Sequence, residues 1–571
     1  MSKARNIQIS GWRVALVVGL GFWALSGTLI AQQEEELEDS APVTVSVDPI
    51  RYRNVIKESG IDFVLDNYMT EEKHMIETMP GGAATLDYNN DGRLDIYFTN
   101  ASVTPSMKKE SPRFYNRLYR NDGGMKFTDV TLEAGVKGEG YSMGVAVADY
   151  DNDGDVDIFV AGVYHNILFR NNGDSTFSEV TDDAGIKSDL WSVAAGWFDY
   201  DNDSYLDLFV VNYVEWTLNW KRFCGDPTGK IRVYCHPRYF DGLPNTLYRN
   251  RGDGTFEDVT EKSGILNHVS RGMSVAFEDY DRDGHLDAFV TNDKVPNFLF
   301  QNMGDGTFEE VALLVGVALR EHGRAVSSMG AAFRDYNNDG LPDIWVTALD
   351  WETFPLFRNE GGGFYEDATY ATGVARATIK RSAWSLAMFD FNNDGWKDLF
   401  TANAHANHRI ELWESTDYRQ ANTVLANLKD GTFADVTPGV GPDFQVPRAH
   451  RGSAVGDFNG DGKIDIVVTA ISDETELWEN ISPANNNWVI FDLEGTRSNR
   501  DGIGTQIRLL DQYNIQTTAV GYASSSYTGV HFGLGSVSRL DKVELLWPSG
   551  VKQTLTDVEV NRIVHVKEPA Q

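Results

Sequence analysis

"DYDNDGDVD" (149–157) sets acidic side chains at alternate positions, then a glycine, then a closing aspartate. The first half has EF-hand spacing, in which positions 1, 3 and 5 offer oxygen ligands to a hard cation and glycine at 6 allows the sharp turn. An EF-hand also needs a bidentate glutamate at position 12, and here that place holds Val160 in the strand-prone run "DIFVAG". Asp157, at position 9, is better placed to close a coordination sphere. The unit therefore reads as strand, calcium loop, strand.

The pattern recurs seven times in register, whereas a solvated acidic turn has no need of carboxylate or amide oxygens at positions 1, 3, 5 and 9 each time. The predicted metal ligands are Asp87, Asn89, Asp91 and Asp95; Asp149, Asp151, Asp153 and Asp157; Asp199, Asp201, Asp203 and Asp207; Asp279, Asp281, Asp283 and Asp287; Asp335, Asn337, Asp339 and Asp343; Asp390, Asn392, Asp394 and Asp398; and Asp457, Asn459, Asp461 and Asp465. Position 12 is Phe98, Val160, Val210, Val290, Val346, Thr401 or Val468, so none is an EF-hand. The third loop is the weakest, because Ser204 replaces the glycine and must take up a left-handed conformation. Up to seven structural Ca²⁺ ions are expected.

Each of the first six loops is followed by a hairpin signature, such as "RNNGDSTFSEVTDDAGI" (170–186) or "RNRGDGTFEDVTEKSGI" (249–265), with turn residues flanked by alternating apolar positions. Loop and hairpin together give four strands, a unit that repeats as propeller blades do. The seventh repeat ends at "ELWENIS" (476–482) without its last strand. "YRNVIKESGI" (52–61) matches "FEDVTEKSGI" (256–265), so the N-terminal strand is expected to complete the seventh blade and remove two exposed edges. The "RGD" of 251–253 occupies the ordinary hairpin position and reads as a turn.

The chain has 571 residues, 42% of them hydrophobic, enough for several domains or one large repeat array. Its net charge of −34 excludes nucleic acid as a partner and suits cation binding, which would relieve much of the self-repulsion. Lys3, Arg5 and Arg13 precede the apolar run 14–31, an export signal cleaved near Ala31 or an N-terminal anchor tethering the protein to a membrane. Residues 1–31 are assigned to that segment, 32–50 to an acidic linker, 51–482 to the propeller and 483–571 to a small C-terminal β-sandwich or barrel. Localisation is expected to be exported: secreted, periplasmic or at the cell surface. The two cysteines, Cys224 and Cys235, lie in "FCGDPTGKIRVYCHP" (223–237), where a local disulfide is expected to staple a long insertion.

The blades resemble FG-GAP/VCBS repeats, and "NWVIFDLEGTRSNRDGIGTQIRLL" (487–510) with "VHFGLGSVSRLDKVELLWPSGVKQTL" (530–555) resembles the ASPIC/UnbV domain. Together they resemble the cartilage acidic protein-like family over roughly 51–567. The resemblance implies a secreted, calcium-binding, all-β seven-bladed propeller followed by a small β domain, and no single biochemical activity. "RDGIG" and "FGLG" lack the following helix and Lys-Ser/Thr pair of a phosphate loop, and read as turns.

Function is expected on the face opposite the metal loops, where the repeats differ most. The inter-blade loops bring Tyr141, Trp191, Arg271, Arg324, Arg381, Trp384, Arg448, His450 and Arg451 there, and the loops between second and third strands bring His165, Asp293, Lys294, Asp350, Trp351, His405 and His408. Arginine and histidine beside aromatics suggest a mouth for an anionic or carbohydrate-like ligand, so the leading expectation is recognition of an extracellular protein, glycan or matrix ligand. The alternative is a calcium-dependent lyase, cyclase or hydrolase built on Arg271, His405, His408 and His450. No G-x-S-x-G, H-E-x-x-H or P-loop is present to favour it.

Overall fold

The computed structural model describes residues 48–226 and 228–570. Six units of four antiparallel strands span 83–129, 141–179, 192–258, 272–310, 331–367 and 383–435, the first extended by a fifth, parallel strand, Ser525–Ser526, and a seventh joins the three strands of 450–480 to Tyr52–Asn54. In that last sheet Tyr52 lies opposite Asn480 and Asn54 opposite Trp478. The innermost strands touch one another in chain order, and the first (Ala83–Leu86) also touches the last (His450–Gly456). The sheets therefore close into a ring, an all-β propeller.

Inner strands such as Tyr141–Ala148 are buried along their whole length. Both faces of each blade pack on neighbours, so these strands read as continuous apolar runs and not as alternation. The core is accordingly divided into layers between blades. Between the second and third, fully buried Trp197 stacks on Tyr150 at a ring separation of 5.8 Å. Burying a large apolar side chain in this way contributes about 1.5–3 kcal/mol.

A ring of amides ties the layers together. Asn121, Asn171, Asn250, Asn302, Asn359, Asn427 and Asn480, at the ends of the third strands, donate Nδ2 to the carbonyls of Phe458, Tyr88, Tyr150, Tyr200, Tyr280, Tyr336 and Phe391 in the preceding blade, at 2.7 to 3.5 Å. The Asn121–Phe458 bond joins the first blade to the seventh. The outer strands are shorter than the repeat signature suggests. In "FTDVTLEAG" the strand ends at Asp129, whose carboxylate accepts the Thr131 N–H at 2.9 Å and starts a helical turn, Thr131–Ala134, ended by left-handed Gly135.

From Asn487 a three-stranded and a four-stranded sheet face each other across a core that includes Phe491, Ile507, Phe532, Val543 and Trp547, making a small sandwich. One excursion, residues 516–529, leaves this sandwich and plugs the propeller's central channel. Ser525–Ser526 pairs parallel with the inner strand of the first blade. Ala523 O accepts from Val145 N at 3.1 Å, Gly521 N donates to Ala331 O at 3.2 Å, Tyr522 N donates to Ser385 Oγ at 3.1 Å, and Val455 N donates to Ser526 Oγ at 3.1 Å. The plug packs closely on the first blade, where a Cβ on Gly82 would lie 2.4 Å from Ala523 O.

Cys224 and Cys235 form a disulfide in the insertion of the third blade, with Cα atoms 5.2 Å apart. Among the described residues no helix is long and apolar enough to cross a membrane; the apolar segment 14–31 lies outside them.

Candidate functional site

The turn between first and second strands is built around its own carboxylates. Asp149 Oδ1 and Oδ2 accept the N–H groups of Asp153 and Gly154 at 3.0 and 2.7 Å, and Asp157 accepts those of Tyr150 and Asn171 at 3.1 and 2.8 Å. A carboxylate has about four acceptor positions, so lone pairs remain for a cation. Donor atoms of Asp149, Asp151 and Asp157, of Asp199, Asp201 and Asp203, and of Asp279, Asp281 and Asp287 lie within 4.8 Å of one another.

Asn89 Oδ1, Asp151 Oδ1, Asp201 Oδ1 and Asp335 Oδ1 are buried with no hydrogen-bond partner, which is costly unless something else satisfies them. Burial, then the charge of Asp501, pushes Asp149 up to about 8; burial pushes Asp199 up to about 7 and Asp279 up to about 6. An all-oxygen set with orphaned donors and mutually repelling carboxylates fits a hard divalent cation such as Ca²⁺. The third loop differs twice over. Ser204 sits at φ +74°, and Arg249 pairs with Asp201 and Asp203 at 2.6 and 2.9 Å, supplying positive charge where a cation would sit.

Position 4 carries a role that the ligand spacing hides. Asn152, Asn338 and Asn393 are left-handed and donate Nδ2 to the position-6 carbonyls of the next loops, Ser204, Gly395 and Gly462, at 2.9 to 3.0 Å. The recurrent "NDG" and "NDS" were the available signal. The C-terminal sandwich covers this same face: Asp149 N donates to Asp501 Oδ2 at 2.8 Å, Arg500 N to Asn152 Oδ1 at 2.8 Å, and Gln506 Nε2 to Asp279 Oδ2 at 3.2 Å.

At the other ends of the second strands a cavity of about 390 Å³ opens in the propeller mouth. Asp293 and Lys294, Asp350 and Glu352, and His405 and Asn407 reach it from three successive blades, with Trp384 in its wall. Met75, Thr78 and Met79 from the N-terminal segment, and Tyr234, Cys235 and His236 from the disulfide-stapled insertion, complete the wall. Tyr522, at the tip of the plug, donates its hydroxyl to Met79 O at 2.9 Å and packs edge-on against Trp384. The plug thus supports the cavity from the channel side.

His405 Nδ1 accepts the Asn407 N–H at 2.9 Å, which leaves Nε2 to carry the proton, 3.7 Å from Asp350 Oδ1. Burial holds the His405 pKa below its ordinary value. Asp293 accepts the Tyr213 hydroxyl at 2.7 Å, and burial raises its pKa. Lys294 is in close contact with Glu352, and burial lowers its pKa.

Most of the remaining expected mouth residues are engaged elsewhere. His450 is fully buried between Asn403 O and Glu476 Oε2, at 2.9 and 3.1 Å. Arg451 is buried over the Trp384 ring at 4.3 Å and donates Nε to Thr78 O at 2.7 Å. Arg381 pairs with Asp435 at 2.7 Å and Arg448 with Asp473 at 2.5 Å, while Arg324 and Trp351 are exposed. Buried Tyr141 donates to Asn67 O at 2.7 Å, buried Trp191 packs edge-on against Tyr213, and Arg271 reaches Phe240 O at 3.4 Å. His408 lies against the Tyr234 ring, and His165 beside Gly140. Of the four catalytic candidates only His405 lines the cavity. Acidic partners take up Arg381 and Arg448, and the cavity wall itself carries more carboxylates than cations.

Two family models match this chain: "FG-GAP-like repeat" over 87–160, 154–210, 233–290, 279–346, 335–401 and 409–468, and "ASPIC and UnbV" over 495–571. The chain belongs to the FG-GAP-like repeat family. All six repeat matches end in the strand that follows a metal loop and four of them start in such a loop, and the second match falls on the sandwich and its plug. Cartilage acidic protein 1 of Homo sapiens is 26% identical over 343 residues, covering 57% of this chain and 48% of that protein. The Mus musculus protein of the same name is 25% identical over 374 residues, covering 61% and 54%. The chain thus spans about half the length of these curated relatives. Among solved structures, an Agrocybe aegerita lectin that recognises non-reducing terminal N-acetylglucosamine aligns with a TM-score of 0.36 at 15% identity, covering 62% of this chain and 79% of that one. A Bacillus licheniformis rhamnogalacturonan lyase aligns at 0.36 and 10% identity, covering 75% of each.

Proposed function

We propose that this is an exported, calcium-stabilised propeller that recognises an extracellular protein, glycan or matrix ligand through the mouth opposite its metal loops. The observation that carries the reading is the convergence of Asp293, Lys294, Asp350, Trp384 and His405 from three successive blades on one cavity of about 390 Å³, a volume typical of ligand pockets. The other face is unsuited to the task because the C-terminal sandwich lies over it. Export is supported by the Cys224–Cys235 disulfide, which persists in oxidising compartments. Calcium is supported by the orphaned oxygens of the loops, and its role there is structural: it would hold each blade's inner turn.

The test is capture of extracellular-matrix proteins and glycans on arrays, with the wild-type chain and two variants in saturating calcium. His405→Ala should weaken capture at least tenfold, while Asp283→Ala, in a metal loop, should lower the melting temperature and leave capture unchanged. Capture indifferent to His405→Ala would sink the reading. An enzyme working at His405 would instead show turnover that this substitution abolishes.

A further inference from the structure

We infer that the mouth cavity is a binding site for an organic ammonium group whose carrier also offers a hydroxyl or carbonyl oxygen. This rests on the reading that the mouth is where ligand binds, and it replaces the anionic ligand expected from the sequence.

The charges around the cavity decide the sign. Asp293, Asp350, Glu352 and Glu414 line it, against Lys294 alone among lysines and arginines. Lys294 is already in contact with Glu352. His405 adds no cation, because its Nδ1 lone pair is used by the Asn407 N–H and burial disfavours a second proton. Lys294 and Arg271 partly offset Asp293, but with four carboxylates against one lysine on the wall an anion would enter against net negative charge, whereas a cation would relieve it.

Two unsatisfied atoms give the polar pattern. Asp350 is 6% exposed and its Oδ2 has no hydrogen-bond partner, while Oδ1 accepts from Ser382 Oγ at 3.0 Å. Trp384 is 2% exposed and its indole N–H has no partner either. Both residues line the cavity. One orphan needs a donor and the other an acceptor; both atoms are themselves buried, so a ligand bearing an ammonium and an oxygen would answer both by displacing the side chains that cover them.

The rest of the wall argues for an organic cation over a metal ion. Met75, Met79, Met273, Met329 and the rings of Tyr213 and Tyr234 supply an apolar, polarisable lining that suits alkyl groups and ammonium. Among the described residues, the carboxylate groups close enough to share a metal ion are the three aspartate trios of the loops, and none is in the mouth.

The experiment is calorimetric titration of the full chain in saturating calcium with matched pairs: choline against 3,3-dimethylbutan-1-ol, glucosamine against N-acetylglucosamine, and Nα-acetyl-lysinamide against Nα-acetyl-norleucinamide. The pairs separate a free amino alcohol, an amino sugar and a protein lysine as the source of the ammonium. The ammonium member of at least one pair should bind at least tenfold more tightly than its neutral partner. Asp350→Asn should cost at least tenfold and Trp384→Phe several-fold, while Lys294→Gln, which frees Glu352, should tighten binding. That opposite sign is not expected of variants that merely damage the fold, and it keeps the inference testable if Asp350→Asn does not fold. Preferential binding of a neutral member, or of glucuronate, sensitive to Trp384→Phe would overturn the ammonium and leave the mouth as the binding face. No binding in any pair would overturn the inference too, and the array experiment then judges the mouth separately.

Discussion

The two faces of the propeller use similar side chains to opposite ends. On the loop face, seven copies of one turn repeat nearly the same carboxylate-to-backbone bonds, the fifth alone leaving Asp335 Oδ1 without its backbone N–H, and the sandwich covers the result. In the mouth, corresponding turns present Asp293, Asp350 and His405, two carboxylates and an imidazole where the loop face repeats one pattern, and segments from outside the repeats wall them in. Repetition marks what holds the ring together, and departure from repetition marks where it is free to be specific.

That contrast breaks first if calcium is irrelevant to stability. Chelation should cost the folded chain more than about 5 kcal/mol, summed over several sites at roughly 1–3 kcal/mol each, and lower the calorimetric melting temperature by about 5 °C or more. Lys294→Gln in the mouth should shift it by no more than about 2 °C. Next in size is Gly82→Val. Its side chain would drive into Ala523 of the plug, so a loss of about 3 kcal/mol is expected in denaturant unfolding.

Acid should act through histidines held neutral. Burial keeps His531 and His408 down at about 4; for His408 the Lys73 and Arg409 cations add to the effect. Between there and the ordinary value of about 6.5 the unfolded chain binds protons that the folded chain refuses. Stability from these groups is therefore complete above about pH 6.5 and is lost as pH falls towards 4. For fully buried His531 the loss is on the order of 3 kcal/mol, and His531→Gln should flatten the pH dependence measured in saturating calcium. The smallest effect is expected at Ser204→Gly, which relieves a φ of +74° and should stabilise by about 0.4–1 kcal/mol. Unchanged stability there would mean that Arg249, and not backbone strain, makes the third loop the odd one.

The repeats made the loop face legible. Asp149, Asp157 and their six counterparts stand at fixed spacing, and the kinship of 52–61 with the outer strands pointed to the pairing of Tyr52 with Asn480. Third-strand asparagines such as Asn171 were equally regular, but asparagine beside glycine reads as a turn, and the bond to a neighbouring blade leaves no further trace in sequence. The mouth was half legible. Asp293, Lys294, Asp350, Trp384 and His405 could be assigned to the right face by topology alone. Their electrostatics could not, because the partners of Arg381 and Arg448, Asp435 and Asp473, lie far along the chain. Met75, Met79 and Tyr234 belong to segments without repeats, and the plug at 521–526 is a short Gly-Tyr-Ala-Ser run that announces nothing.

The measurement that bears most directly on this division of labour is a calcium titration with anomalous diffraction from crystals of the same protein. Close to seven ions, all in the loops, with the third loop filling last and none in the mouth, is the expected result. Markedly fewer ions, or a calcium held by Asp293, Asp350 and Glu352, would contradict it and place the metal chemistry in the mouth.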